Sequence, residues 1–179
     1  NLDYTHSRDY FKSGIKTCMN MGLSFEKGFE CEIRSNIPIQ AGTSSSSAIV
    51  VSWINFLAQL ADKKPKWSLE KIGKLAYQTE CVEFGEPGGM MDQYVTSCGG
   101  MLLIKSEPKV SLEKIDSQLG SFVLGDSGEL KNTLDILGRC KTLRIKIFEK
   151  IKSVTSQFDL HTCKDDLDVS FLSKIEKNL

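Results

Sequence analysis

Pro38-Ile39-Gln40-Ala41-Gly42-Thr43-Ser44-Ser45-Ser46-Ser47-Ala48 separates two segments of different periodicity. Before it, Phe29-Glu30-Cys31-Glu32-Ile33-Arg34 alternates apolar and polar residues, the period of a half-buried strand. After it, Ile49, Val50, Trp53, Phe56, Leu57 and Leu60 recur at helical spacing, so a helix is expected over roughly 46–62. That helix is apolar around much of its girth and should be buried. Strand, small-residue loop and helix in this order set backbone N–H groups and hydroxyls at a helix N-terminus. There the first-turn donors lack intrahelical partners and the dipole favours an anion. Gly42 allows close backbone approach, and Ser44 to Ser47 add hydroxyls, a composition suited to cradling phosphate. No Gly-Lys-Ser/Thr ends the loop, so it is not a Walker loop. The same composition also suits a serine linker or a capped helix.

Upstream, Phe11, Ile15, Cys18 and Met19 share one face of a helix over 9–20, with Gly22 as its stop. Downstream, Lys63-Lys64-Pro65-Lys66 makes a charged turn, and Ser68 reads as the N-cap of a helix over roughly 69–83. Trp67 and Ile72 fall at the two positions of a hydrophobic staple. Ile72, Leu75, Ala76, Thr79 and Val82 would face inward, which brings Glu80 to the C-terminal end. The dipole disfavours a carboxylate there, so a positive partner is expected, either a Lys or Arg side chain or a bound cation.

Gly85, Pro87, Gly88 and Gly89 then break the chain, and a short helix between Met90 and Cys98 starts at or just before Asp92. Met101-Leu102-Leu103-Ile104 is an apolar run of the kind that forms a buried strand, 105–119 reads as a surface connection, and 121–124 is a further strand candidate. Gly125-Asp126-Ser127 offers a turn and cap before a long helix through Val154, and a weaker helix is expected near 168–178.

Composition narrows the class. The chain has 179 residues, with Lys+Arg and Asp+Glu both totalling 23. That balance gives no electrostatic case for nucleic acid, and no apolar run reaches the ~18 residues of a membrane span. The six cysteines are scattered without a Cys-x-x-Cys pair, which suits reduced thiols in a cytoplasmic protein rather than zinc or disulfides. His6, His161, Glu83 and Glu86 are given no role.

The loop, together with Glu80 to Tyr94, resembles the GHMP kinase superfamily, and within it the galactokinase-type sugar kinases. The family's Pro-x-x-x-Gly-Leu-x-Ser-Ser motif is matched by Pro38, Gly42, Ser45 and Ser46. Gly-(Ile/Val)-Met-Asp-Gln is matched by Gly89-Met90-Met91-Asp92-Gln93. Thr43 replaces the usual leucine, and Gln40 stands where small residues are common.

The resemblance implies ATP and Mg²⁺ as cofactors and a small-molecule acceptor, a sugar. Pro38, Ala41, Gly42, Thr43, Ser44, Ser45, Ser46 and Ser47 would bind the nucleotide. Ser46 and Glu80 would hold the metal, and Asp92 would be the catalytic carboxylate; an Asp after glycines is otherwise a common helix N-cap. The implied fold is α+β: a partial ribosomal-protein-S5-like N-terminal domain over 1–118, then the start of a ferredoxin-like domain over 119–179. The family's N-terminal and C-terminal motifs are not found, so the chain is expected to be an internal fragment. The alternatives are a non-catalytic nucleotide- and sugar-binding sensor of the same fold, or a fragment inactive alone.

Overall fold

The computed structural model describes residues 2–106, 109–125, 128–129, 132–155 and 158–159. The chain divides into two compact units, 1–131 and 132–179. The first contains helices α1 (Tyr10–Asn20), α2 (Ser45–Leu60) and α3 (Leu69–Tyr77), then a π-helical turn (Gln78–Val82), α4 (Met91–Cys98), β1 (Met101–Lys105) and β2 (Ser111–Ile115). The architecture is α+β with a small sheet: β1 and β2 pair antiparallel, Met101 opposite Ile115 and Lys105 opposite Ser111.

Local chemistry sets the helix ends. Asp9 caps α1 through its carboxylate, which accepts from the Lys12 N–H at 3.2 Å. Gly22 at φ 87° follows that helix, and the Leu23 N–H returns to the Cys18 carbonyl, closing it as a left-handed glycine cap does. Ser68 caps α3 as expected, accepting from Lys71 N–H at 3.2 Å, and Trp67 packs on the cluster that holds Ile72.

The core forms where α2 lies against α1, α3 and α4. Val50, Ile54, Leu57 and Leu75 are essentially fully buried, with Cys18, Trp53 and Ile72 around them. The face of α1 that packs inward is Ser13, Gly14 and Cys18, whereas Phe11 and Met19, expected on that face, are exposed. Small residues win there because they let α2 approach: a Cβ on Gly14 would stand 2.5 Å from Trp53 Cδ1.

Three strand expectations need correction. Residues 29–34 form no strand, and their side chains are exposed at both parities. A strand needs a ladder partner for its backbone groups, and among the described residues β1 and β2 pair only with each other. The run 121–124 fails for the same reason, with Phe122, Val123 and Leu124 all exposed. Met101–Lys105 is a strand, but a half-exposed one, and its partner β2 lies inside the stretch read as a surface connection.

In the second unit α5 (Thr133–Val154) is capped by Asn132, whose Oδ1 accepts from Asp135 N–H at 3.4 Å. Ile151 and Phe158 are buried, and Phe158 meets Phe148 at 5.8 Å between ring centroids. The described residues after 119 contain this helix and no strand, so the expected ferredoxin-like domain is not confirmed among them. The cap at Asp126-Ser127 and the helix near 168–178 lie outside the described residues.

Candidate functional site

The loop before α2 is held in left-handed backbone at alternate positions: Gln40 at φ 58°, Gly42 at 75° and Ser44 at 54°. Only the glycine adopts this without strain, and non-glycine residues held so cluster at functional sites. Alternation of this kind turns successive N–H groups toward one concavity. Thr43 has a structural use here that leucine would not: its hydroxyl donates to the Pro38 carbonyl at 3.0 Å and closes the loop.

Ser44 is the N-cap of α2 but makes no side-chain capping bond. The first intrahelical bond runs from Ala48 N–H to the Ser44 carbonyl at 3.0 Å. Ser45, Ser46 and Ser47 therefore present first-turn N–H groups with no intrahelical acceptor, at the positive end of a 16-residue helix. Beside the loop, a cavity of about 390 Å³ opens between residues 31–37 and α2, lined among others by Ile33, Ile37, Ile49, Trp53 and Phe56.

Glu80 reaches this helix from α3 by way of the π turn. The Glu83 N–H bonds the Gln78 carbonyl at 3.0 Å, five residues back, so the backbone widens and the side-chain register shifts. Thr79, Glu80 and Cys81 are consecutively buried, while Val82, expected inward, is exposed. Two α1 hydroxyls brace the turn: Ser13 Oγ donates to the Thr79 carbonyl at 2.9 Å, and Thr17 and Thr79 hydroxyls meet at 3.1 Å.

Glu80 is 5% exposed. Its Oε2 accepts from Ser47 Oγ at 2.9 Å and from Gln93 Nε2 at 2.6 Å. The serine joined to Glu80 is thus Ser47, and among the described residues Ser46, half-buried one position earlier, makes no hydrogen bond to it. Both hydrogen-bond partners are neutral; Arg8, a cation that feels the Glu80 charge, is itself forked onto Glu86.

Asp92 lies in the first turn of α4, whose N-cap is Met90, and its side chain is exposed. The next residue, Gln93, is buried at 2% and carries the contact to Glu80. Sequence reasoning gave Gln93 no site role. The available signal was an amide beside Tyr94 on the inward face of an amphipathic helix.

Glu83 and Glu86, given no role from the sequence, are engaged: Lys16 Nζ and Tyr4 Oη both donate to Glu83, and Arg8 holds Glu86 with two nitrogens. They pin the residues before α1 to the segment after the π turn. Burial pushes the Cys81 thiol up to about 12, so it stays protonated beside Glu80 at neutral pH. Among the described residues no three His, Cys, Asp or Glu side chains gather as a metal cage, and no helix is long and apolar enough to cross a membrane.

The mevalonate kinase of Pyrococcus abyssi is 30% identical over 112 residues, covering 63% of this chain and 32% of that protein. The mevalonate kinase of Thermococcus gammatolerans is 27% identical over 142 residues, covering 79% and 42%. The chain thus spans about a third to two fifths of the length of these relatives. They are mevalonate kinases, so closeness to the galactokinase type is not what these matches show. No solved structure matches. Residues 9–100, about half of the chain and the part that holds the loop, Glu80 and Asp92, match the GHMP kinases N terminal domain, and the chain belongs to that family.

Proposed function

We propose that this chain carries the ATP-binding part of a kinase that transfers the γ-phosphate of ATP to a hydroxyl of a small molecule, a sugar in our reading. The observation that carries the proposal is the pairing of two features across α2. Its first turn offers unclaimed N–H groups and serine hydroxyls, and a buried carboxylate is delivered to the same turn by a π-helical distortion. Phosphoryl transfer needs the phosphates held, their charge neutralised and a carboxylate by the attacking hydroxyl.

In this reading residues 41–47 hold the phosphates through backbone N–H groups and the hydroxyls of Ser44, Ser45 and Ser46, Pro38 shapes the loop through its carbonyl, which accepts from the Thr43 hydroxyl, and the Ser47 hydroxyl serves Glu80. Asp92, exposed at the start of α4, accepts the proton of the acceptor hydroxyl. Residues 1–118 would make up the nucleotide-binding domain and 119–179 the start of the next. Ser46 and Glu80 would hold Mg²⁺. The donor set fits such an ion: a hydroxyl and a single carboxylate are hard oxygen ligands, too few for a free-standing cage and suited to an ion shared with nucleotide phosphates. The ion, when bound, neutralises charge developing on the phosphate oxygens.

The sugar reading rests on the form of Gly89–Gln93. A second acceptor, mevalonate, is favoured by the names of the relatives. Binding of ATP to this chain with and without Mg²⁺, with Ser46→Ala beside it, tests the site: Mg²⁺-dependent binding weakened in the variant is expected, and Mg²⁺-independent binding overturns it. Turnover of the full-length protein with galactose, other sugars and mevalonate then separates the acceptors, and undiminished turnover in Asp92→Asn sinks the assignment of that carboxylate. Binding of nucleotide and sugar without turnover gives the sensor instead.

A further inference from the structure

The Glu80 carboxylate is held on one side only. Oε2 takes both hydrogen bonds, from Ser47 Oγ and Gln93 Nε2, while Oε1 takes none among the described residues. Ser47 and Gln93 also meet each other, Nε2 to Oγ at 3.3 Å, so the three side chains close a buried triangle. Its hydrogen bonding has one sense. Ser47 has a single hydroxyl proton, which goes to the carboxylate, and its lone pair accepts from the amide. Rotating the Gln93 amide would set its oxygen against the carboxylate, two acceptors face to face. The present orientation avoids that and leaves Gln93 Oε1 without a partner among the described residues.

We propose that Ser47 and Gln93 are positioning residues for Glu80: by binding Oε2 from two sides, they leave Oε1 as the single oxygen offered to the cation. This rests on the reading of Glu80 as a cation ligand. The chemistry suits Mg²⁺, which takes one or two carboxylates in a strict octahedron; Ca²⁺ accepts both oxygens of one carboxylate in a looser shell. Pinning Oε2 therefore works against Ca²⁺ as well as for Mg²⁺. Gln93 adds a mechanical link. It sits next to Asp92 on α4, so the clamp also fixes that helix against the carboxylate on the π turn.

The test is calorimetric titration of the full chain with ATP in EDTA, in Mg²⁺ and in Ca²⁺, for the wild type, Ser47→Ala and Gln93→Met. The expected result is that both variants lose about tenfold or more of the Mg²⁺ enhancement of ATP affinity, the usual effect of removing a residue that orients a metal ligand. The preference for Mg²⁺ over Ca²⁺ should fall with it. In Gln93→Met, which keeps side-chain volume, metal-free ATP affinity should change by less than about twofold. A lowered melting temperature with the Mg²⁺ enhancement intact in both variants reduces the triangle to a packing feature and overturns the proposal. If Gln93→Met does not fold, Ser47→Ala decides alone. Absence of any Mg²⁺ enhancement in the wild type overturns the cation reading of Glu80 itself, and the two failures are thereby distinguished.

Discussion

Gly73 of α3 lies directly against Tyr94 of α4: a Cβ built on it would stand 3.1 Å from the Tyr94 Cα and 3.2 Å from the Gln93 carbonyl oxygen. The residue before Tyr94 is the one that holds Glu80, so this contact sets the distance between the two carboxylate-bearing segments. Gly73→Ala improves helix propensity by about 0.8–1.0 kcal/mol, but it presses on backbone, which yields less easily than a side chain, and overpacking costs about 1–3 kcal/mol. The expected net effect is a destabilisation of about 1 kcal/mol. Gly14→Ala should cost more, about 2 kcal/mol, because its Cβ would fall 2.5 Å from a Trp53 ring that is fixed by a 3.0 Å bond to the Phe11 carbonyl. Urea midpoints of the two variants check the order. Equal or raised midpoints contradict the close approach.

The π turn should depend on α1. Ser13 is fully buried, and its hydroxyl satisfies the Thr79 carbonyl, which sits where the regular helix gives way. Ser13→Ala leaves that acceptor buried without its donor, a loss of about 1–3 kcal/mol. Ser13→Cys, of similar size and a weaker donor, should fall between. Chemical denaturation measures both. If Ser13→Ala matches the wild type, the turn is held by the α3 backbone and not by α1.

What was legible in the sequence was whatever is decided locally. The helix ends at Ser68 and Gly22 follow from capping, and α2 from its apolar period, whereas Asp9 was read as part of α1 and is its cap. The strand at 29–34 was misread because alternation reports only a preference; a ladder partner must exist, and none lies among the described residues. Val82 was misassigned because a regular 3.6-residue period cannot foresee a π turn, which slips the register by one residue. At the site, the loop was proposed from its composition and Glu80 from the resemblance, but the choice of Ser47 over Ser46 as the partner of Glu80 depends on how α2 is rotated against the π turn. Gln93 was read as part of the Gly89–Gln93 motif but given no role of its own, because that role exists only once α4 packs on α2 and α3.

Gln40 stands at φ 58°, where a non-glycine residue carries about 1–2 kcal/mol of strain. Gln40→Gly removes the strain and adds unfolded-state freedom, the latter worth about 0.4–1 kcal/mol. The expected balance is a stabilisation of up to about 1 kcal/mol, seen as a small rise in melting temperature. Gln40→Val, β-branched and poorly suited to this region, should lower it. A lower melting temperature in Gln40→Gly than in the wild type would show that the side chain, not the backbone, sets the loop.

The junction before α1 should be acid-sensitive. Lys16 and Tyr4 donate to Glu83, and the Lys16 hydrogen bond, followed by that from Tyr4, holds the Glu83 carboxyl below the usual carboxylate range. A carboxyl whose folded value is depressed contributes stability above its unfolded value, about 4.3, and loses it as the pH falls through the lower folded value. The ion pair is partly exposed, 44% at Lys16 and 27% at Glu83, so its worth is the small one of a surface pair. Glu83→Gln should therefore melt slightly below the wild type at pH 7 and converge with it near pH 3. Addition of about 1 M salt at pH 7 should narrow the same gap by screening. A gap that is constant from pH 7 to pH 3 would place the effect of Glu83 in packing and not in its charge.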